Sequence, residues 1–300
     1  MTGIEVHLPT PYEGDDPQAE AHAITEASGT SFSGGMNILP TDRRNAMHAI
    51  YAFSRQVDDI ADGPWSSEDK HKALDAWRAE IEALYAGAPS SAVGKALAPA
   101  IVAYELPKEE FLGLIDGMAM DADGPIVAPT RKELSLYTRR VAGTVGLLSI
   151  RVFGAWKSEA SDRFALALAD ALQITNILRD VEEDAGIDRL YLPSELLAKH
   201  GLTNPTPHDV AAANGLDAIR AELGEEAKAF YNEARSLAPL HDRKALRPAL
   251  MMMGAYEGYL IEMERRRWRL SPDVKLQSRW QKLFRGLRYA FMGPGQPTTS

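Results

Sequence analysis

The clearest pattern in this sequence is Tyr51-Ala-Phe-Ser-Arg55-Gln-Val-Asp58-Asp59-Ile-Ala-Asp62. It is predicted to lie on a helix that begins after Pro40-Thr41 and stops at Gly63-Pro64. One stripe of that helix carries four polar residues at spacings i, i+4, i+7 and i+11, namely Tyr51, Arg55, Asp58 and Asp62. Asp59 lies beside this stripe. Because carboxylates this close repel one another, the fold is expected to supply a cation. Oxygen ligands suit a hard ion such as Mg²⁺.

A second stretch has the same character and reads Gln173-Ile-Thr-Asn176-Ile-Leu-Arg179-Asp180-Val-Glu-Glu183-Asp184. Its stripe, spaced i, i+3, i+7 and i+11, contains Gln173, Asn176, Asp180 and Asp184, and Glu183 flanks it. One acidic cluster alone is most often a solvated helix face. Both clusters here are embedded in apolar residues, which a solvated face would not normally carry. Two such stripes therefore favour a binding site.

Composition limits the functions to consider. The chain has 300 residues, of which 45% are hydrophobic, so it can bury a large core. Its net charge of −9 argues against general nucleic-acid binding, and no nucleic-acid partner is expected. The absence of cysteine excludes disulfides, thiolate metal sites and a cysteine nucleophile. With neither a secretory signal at the N-terminus nor a run of about 18 to 20 apolar residues, the sequence predicts a cytoplasmic protein.

Helical periodicity extends over most of the chain. No strand-like alternation or βαβ rhythm is found, so the sequence predicts an all-α fold. We expect a mobile N-terminal arm over residues 1–25, one large helical domain over residues 26–291, and a flexible tail over residues 292–300. Within the domain, Thr130-Arg-Lys-Glu133 is a capping box that is predicted to open a long helix reaching Phe153.

Two facing acidic helices in an apolar bundle would form a Mg²⁺-lined rim over an apolar cavity. The matching ligand has a diphosphate head and a hydrocarbon tail, because Mg²⁺ prefers to bridge a few carboxylates to substrate phosphates. Arg55 and Arg179 are candidates to hold phosphate oxygens. Loss of the diphosphate would leave an allylic cation, which aromatic faces stabilise in a dry cavity. Candidates for that role, with core packing as the alternative for each, are Phe32, Tyr51, Phe53 and Tyr137.

The two acidic motifs resemble those of the squalene/phytoene synthases. Further segments match in order: Ser31-Phe32, residues 49–55, Tyr137-Thr-Arg-Arg-Val141-Ala-Gly143-Thr-Val-Gly146, and Arg189-Leu-Tyr191-Leu-Pro193. The resemblance covers about residues 28 to 270. It implies a single large helical bundle of the isoprenoid synthase type, with a central apolar cavity, that joins two prenyl diphosphates head to head.

The resemblance also implies roles for individual residues. Mg²⁺, with Mn²⁺ as the alternative ion, would be bound by Asp58, Asp59, Asp62, Asp180, Glu183 and Asp184. The catalytic residues would be Tyr51, Arg55, Tyr137 and Arg179. Substrate would be bound by the two arginines together with Ser31, Phe32, Gln173, Asn176, Arg189 and Tyr256.

Within the family, the finer resemblance is to bacterial presqualene diphosphate synthases. It is carried by residues 31–40, Asp116-Gly-Met-Ala-Met-Asp121 and Arg139-Arg-Val-Ala-Gly143, with Ser54 and Arg140 as departures from common family residues. The implied substrate is farnesyl diphosphate and the implied product feeds squalene and hopanoid synthesis. Without a Gly-rich dinucleotide motif, no NADPH is expected. The alternatives are phytoene, dehydrosqualene or squalene synthase, a terpene cyclase, and a non-catalytic helical scaffold.

The C-terminal region is basic although the chain as a whole is acidic. Its last predicted helix, at about residues 275–291, carries apolar residues at helical spacing, among them Trp280, Leu283 and Leu287. Two interpretations remain open: the apolar face packs on the bundle, or the basic helix makes peripheral contact with the inner face of the membrane. Downstream enzymes of the same pathway are further candidate partners.

Overall fold

The protein is built from helices. The computed structural model describes residues 3–29, 33–270 and 275–295. Within those residues there is no β-strand, and an isolated bridge pairs Val127 with Leu190. The all-α prediction is therefore confirmed. No helix in this part of the chain is both long and apolar enough to cross a bilayer.

The α-helices of the described segments, in chain order, are α1 Pro17–Ala27, α2 Ser33–Asn37, α3 Thr41–Asp62, α4 Ser67–Tyr85, α5 Ala92–Tyr104, α6 Lys108–Ala122, α7 Arg131–Thr138, α8 Thr144–Val152, α9 Glu159–Ala185, α10 Ser194–Lys199, α11 Pro207–Ala211, α12 Leu216–Leu237, α13 Arg243–Arg265 and α14 Arg279–Met292. They form two compact units. The first contains Met1–Gly124 and Thr144–Trp156, and the second contains Pro125–Gly143 and Lys157–Ser300.

Helix α3 is central to the first unit, where it contacts α1, α4, α5, α6 and α8. Its apolar face is fully buried and includes Ile50, Phe53, Val57 and Ile60. The ring centroid of Phe53 lies 5.5 Å from that of Trp77 and 5.3 Å from that of Phe111, both in edge-on contact. Phe53 therefore packs in the core. Burial of this face directs the opposite, acidic face of α3 away from the core.

The N-terminal residues are more structured than the sequence suggested. A 3₁₀ turn covers Ile4–His7, and the carbonyl of His7 accepts a 2.7 Å hydrogen bond from the indole of Trp77. Helix α1 begins with Asp16 as its N-cap and Pro17 in its first turn, both favourable start signals. It packs on α3 and α5. The mobility of residues 1–25 stays a prediction, but this segment is not an arm without packing partners.

The predicted long helix from Thr130 to Phe153 is interrupted. The capping box at Thr130 and Glu133 is present, but α7 ends at Thr138 and a π-helical segment follows over Arg139–Gly143 before α8. The hydroxyl of Thr138 donates to the carboxylate of Asp170 at 2.6 Å. At Gly143, a Cβ atom would come within 3.0 Å of Leu166. Close approach to α9 on this side accompanies the wider helical turn, and such π-bulges are frequent at functional sites.

Helix α9 is central to the second unit, where it contacts α7, α11, α12, α13 and the π-helical segment. Its buried residues include Phe164, Ile174, Ile177, Leu178 and Val181. Helix α14 packs on α13. As in the first unit, burial of one face of the central helix fixes where its polar stripe points.

Candidate active site

The first acidic cluster lies at the C-terminal end of α3. Arg55 donates to Asp58 at 3.2 Å and also pairs with Asp59. Asp59 lies 3.8 Å from the imidazole of His7, which in turn contacts the side-chain amide of Gln56 at 3.1 Å. The structure therefore brings Arg55, Asp58 and Asp59 together as predicted, and adds His7 from the N-terminal turn.

Asp58 is electrostatically strained. Its pKa is raised to about 7, chiefly because its carboxyl group is largely removed from water and also because Asp62, Asp59 and Asp121 are negatively charged. Arg55 opposes the shift. A carboxylate that is crowded by other carboxylates is stabilised by a bound cation, because the cation offsets both the desolvation and the repulsion. The first cluster therefore has the charge arrangement of a cation site.

The second acidic cluster lies at the C-terminal end of α9. The guanidinium of Arg179 donates two hydrogen bonds, of 2.6 Å and 2.5 Å, to the carboxylate of Asp180. The pKa of Asp184 is raised to about 7, first by desolvation and then by the negative charges of Asp180 and Glu183, against the opposing effects of Arg189 and Arg179. Each cluster thus contains an arginine–aspartate ion pair and an aspartate whose pKa is raised to about 7, and in the first cluster Asp58 is both.

The loop after α9 places Arg189 beside this cluster. The backbone amide of Arg189 donates to the carbonyl of Asp184 at 2.9 Å, and the amide of Leu190 donates to Ile126 at 2.8 Å. Asp188 adopts a left-handed conformation with φ of 60°. These backbone bonds fold the chain back at the end of α9, so Arg189 stays within electrostatic reach of Asp184.

Tyr137 is buried against a second tyrosine. Its ring stacks on that of Tyr191 with centroids 5.1 Å apart and an interplanar angle of 22°. The Tyr137 hydroxyl donates to the Tyr191 hydroxyl at 3.3 Å. Sequence reasoning selected Tyr137 alone, although Tyr191 was part of a matched segment. The pair holds the Tyr137 ring in one orientation.

Tyr256 and Tyr259 of α13 lie beside the second cluster. Their rings are in edge-on contact, with centroids 5.9 Å apart. The guanidinium of Arg179 lies 5.0 Å from the ring centroid of Tyr259, within cation–π range. Tyr256 was predicted as a site residue and Tyr259 was not. The signal was available, since residues spaced i, i+3 share a helix face.

A buried cation anchors the helical turn that carries the second cluster. Arg220 of α12 is 2% exposed and forms an ion pair with Glu182. It also donates to the backbone carbonyl of Leu178 at 3.0 Å. Asp180 lies between these two contacts in the sequence, so Arg220 fixes the position of its helical turn. No sequence pattern distinguished this arginine from its neighbours.

The donors present fit Mg²⁺. They are carboxylates and amides, the ligands that this ion prefers, and the buried Oδ1 of Asn176 has no hydrogen-bond partner among the described residues. In those same residues no group of three or more acidic or imidazole side chains is arranged to hold a metal ion unaided.

The structure places most of the predicted site residues, each within its own unit. The first unit has Tyr51, Arg55 and the acidic residues of α3, and the second has Gln173, Asn176, Arg189, Tyr256 and the charged residues of α9. Ser31 and Phe32 lie outside the described residues. Sequence reasoning missed Asp121, which is buried and raises the pKa of Asp58, although it ends a segment that carried the family resemblance.

Comparison with known proteins gives concordant matches. The family model for squalene/phytoene synthase matches residues 25–281. The chain is 42% identical over 247 residues to the presqualene diphosphate synthase of Rhodopseudomonas palustris, covering 82% of this chain and 87% of that protein. It is 41% identical over 267 residues to the presqualene diphosphate synthase of Zymomonas mobilis subsp. mobilis, covering 88% of this chain and 89% of that protein.

The fold is also similar to a solved structure. A crystal structure of a dehydrosqualene synthase in complex with ligand superposes with a TM-score of 0.79 at 25% sequence identity, covering 91% of this chain and 94% of the other. Sequence and fold therefore match the same group of proteins.

Proposed function

The chain belongs to the squalene/phytoene synthase family, and on that premise we propose that it joins two molecules of farnesyl diphosphate head to head to give presqualene diphosphate. In this prenyl transfer one C–O bond breaks, two C–C bonds close a cyclopropane ring, and diphosphate and one proton leave. The observation that carries the proposal is the pair of matching clusters on α3 and α9, in a chain about two fifths identical to presqualene diphosphate synthases over most of its length.

The acidic residues of both clusters are proposed to hold Mg²⁺, with Mn²⁺ as the alternative ion. Asp58, Asp59 and Asp62 would serve in the first unit, and Asp180, Glu183 and Asp184 in the second, where the amide oxygen of Asn176 is an additional donor. When bound, Mg²⁺ neutralises negative charge on the leaving diphosphate. The raised pKa values of Asp58 and Asp184 support this assignment, because a bound cation offsets the desolvation and the repulsion that cause them.

Arg55 and Arg179 are proposed to exchange partners when substrate binds. In this structure Arg55 pairs with Asp58 and Asp59, and Arg179 pairs with Asp180. Those aspartates would hold the metal, and the arginine donors would then be available to phosphate oxygens. A guanidinium suits this role because its planar donors match phosphate oxygens in pairs. Gln173, Arg189 and the residues Ser31 and Phe32 are proposed to add further substrate contacts.

The aromatic residues are proposed to act on the allylic cation. Tyr137, oriented by Tyr191, and Tyr51 would present ring faces that stabilise positive charge. Tyr256 would help exclude water from the reacting carbons. For the proton that leaves, the released diphosphate is a better base than Tyr51, since an unperturbed tyrosine has a pKa of about 10.

The reaction is proposed to stop at presqualene diphosphate. Reaching squalene requires a second ionisation and a hydride donor, and no NADPH requirement is proposed. The test is product analysis after incubation with farnesyl diphosphate and Mg²⁺, with and without NADPH. Presqualene diphosphate in both reactions is the expected result. Squalene on addition of NADPH, or more efficient conversion of geranylgeranyl diphosphate to a C40 product, would assign the chain to another family activity. If no condensation product forms, the remaining interpretation is a non-catalytic helical scaffold.

Substrate and product both carry long hydrocarbon chains and a charged head. Such molecules partition into membranes, so the enzyme is proposed to work at the inner membrane surface. It would pass its product to an enzyme that removes the second diphosphate.

A further inference from the structure

The aromatic face of α14 points outward. Its stripe at i, i+4, i+7 and i+11 consists of Trp280, Phe284, Leu287 and Phe291. Of these, Trp280 is 79% exposed, Phe284 70% and Phe291 53%. Folded proteins rarely leave a contiguous stripe of large apolar side chains in water unless it binds a partner. Of the two interpretations that the sequence left open, packing on the bundle therefore does not describe Trp280 or Leu283, which are exposed, whereas Leu287 is half-buried.

The inward face of α14 explains this orientation. It consists of Gly286, Tyr289 and Ala290, which are buried. A Cβ atom on Gly286 would lie 3.0 Å from the backbone carbonyl oxygen of Met251, and one on Gly254 would lie 2.7 Å from that of Arg285. The backbones of α13 and α14 therefore approach closely at Gly254 and Gly286, and Tyr289 is the aromatic side chain that this close approach accommodates, against Gly254.

Two polar contacts hold α14 in this orientation. The guanidinium of Arg285 donates to the carbonyl of Gly258 at 2.8 Å, and the Tyr289 hydroxyl donates to Glu257 at 2.7 Å. Lys282 lies over the ring of Tyr259 at 4.9 Å from its centroid. Arg285 and Lys282 thus have partners on α13, and rotation of the helix to bury its aromatic face would break these contacts.

The charge of α14 contrasts with that of the chain. Residues 279–292 contain four cationic side chains and no carboxylate, whereas the chain carries a net charge of −9. Arg279 and Arg288 are exposed beside the aromatic stripe. Among the described residues, no carboxylate lies within ion-pair distance of either one. The surface of α14 therefore combines the exposed aromatic stripe with flanking cations.

We propose that α14 docks on an anionic lipid surface. Trp280, Phe284 and Phe291 enter the boundary between headgroups and acyl chains, and Arg279 and Arg288 bind lipid phosphates. Charge selects this occupant: a second copy of the chain meeting the same face would bring these cations against one another, whereas an anionic membrane attracts them. The contact does not depend on the proposed reaction, so its test is separate from product analysis.

The first test measures binding to vesicles. The full chain is sedimented with vesicles of phosphatidylcholine alone or of phosphatidylcholine mixed with phosphatidylglycerol, at low and high salt. We expect salt-sensitive binding to the anionic vesicles. Since each cation contributes about 1 kcal/mol near such a surface, the double variant Arg279→Glu/Arg288→Glu should bind at least about 30-fold more weakly. The double variant Trp280→Ser/Phe284→Ser should weaken binding by about tenfold or more.

Matched controls carry the same changes elsewhere. Lys72→Glu/Lys132→Glu alters the net charge equally at exposed lysines of α4 and α7, and Val102→Ser/Leu240→Ser removes exposed apolar side chains outside α14. Both should bind like the unmodified chain. Equal weakening in the charge control would show attraction to net charge alone and would overturn the assignment to α14.

The second test follows Trp280 directly. Its emission should shift to the blue when anionic vesicles are added, and Trp280→Phe should abolish that shift while binding persists. If the emission of Trp280 does not shift when anionic vesicles are added, the proposal is overturned. So would the absence of binding to anionic vesicles at low salt, or a dimer in light scattering that Trp280→Ser/Phe284→Ser dissociates, which would instead assign the face to a second copy.

Discussion

Arg220 and Glu182 form an ion pair in which the arginine side chain is 2% exposed and the glutamate side chain 27% exposed. The pair joins α12 to the turn of α9 that carries Asp180. Arg220→Met removes the cation and leaves Glu182 and the carbonyl of Leu178 without it. Because one partner keeps some contact with water, we expect a loss of about 3 kcal/mol in the free energy of unfolding, measured by urea denaturation.

The matched control for this prediction is Arg163→Met. Arg163 also pairs with a glutamate, Glu233, but both side chains are exposed. Its loss should cost less than about 1 kcal/mol. Equal effects of the two substitutions would contradict the anchoring role of Arg220.

The proposed metal ligands can be tested by isosteric substitution. Asp58→Asn and Asp180→Asn remove a negative charge while preserving side-chain shape. Loss of one anionic ligand should reduce kcat/KM by about 100-fold or more, without changing the circular dichroism spectrum. Asp75→Asn, at an exposed carboxylate on α4, is the control and should leave activity unchanged. Full activity in excess EDTA would rule out the metal assignment.

Tyr51 distinguishes two possible bases for proton removal. If the released diphosphate takes the proton, Tyr51→Phe keeps the aromatic ring and should slow single-turnover product formation by only about tenfold. A loss of about 10³-fold would instead identify the tyrosine hydroxyl as the base. Tyr104→Phe, on α5 and outside the clusters, serves as the control.

The buried side chain of His48 is expected to make the stability of the fold depend on pH. The imidazole is 5% exposed, and neither ring nitrogen has a hydrogen-bond partner among the described residues. Burial lowers its pKa, and the positive charges of His22 and Arg44 lower it further, against the opposing effect of Glu26. Below the ordinary histidine pKa of about 6.5, the unfolded chain binds a proton that the folded chain rejects, so stability falls as the solution is acidified.

The measurement is the melting temperature between about pH 7.5 and about pH 5.5. His48→Leu should lose less stability over that range than the unmodified chain, because it removes the group that protonates on unfolding. His208→Leu, at an exposed histidine, should keep the original pH dependence. Parallel curves for His48→Leu and the unmodified chain would contradict this assignment.

The sequence alone determined the helical fold and the contents of the two acidic clusters. Spacings of three and four residues fix which side chains share a helix face, so the stripes on α3 and α9 followed from the order of residues. Family resemblance added Arg189 and Tyr256, which periodicity does not select. Local signals also gave the capping box at Thr130.

Tertiary structure decided which way each face points and which distant residues join it. Periodicity gave α14 an aromatic stripe but not its direction, which depends on the close backbone contact at Gly254 and Gly286. Asp121 and Arg220 come from other helices than the acidic residues they influence. A buried charge is placed by the packing of whole helices, and that packing sums many weak contacts between residues far apart in the chain.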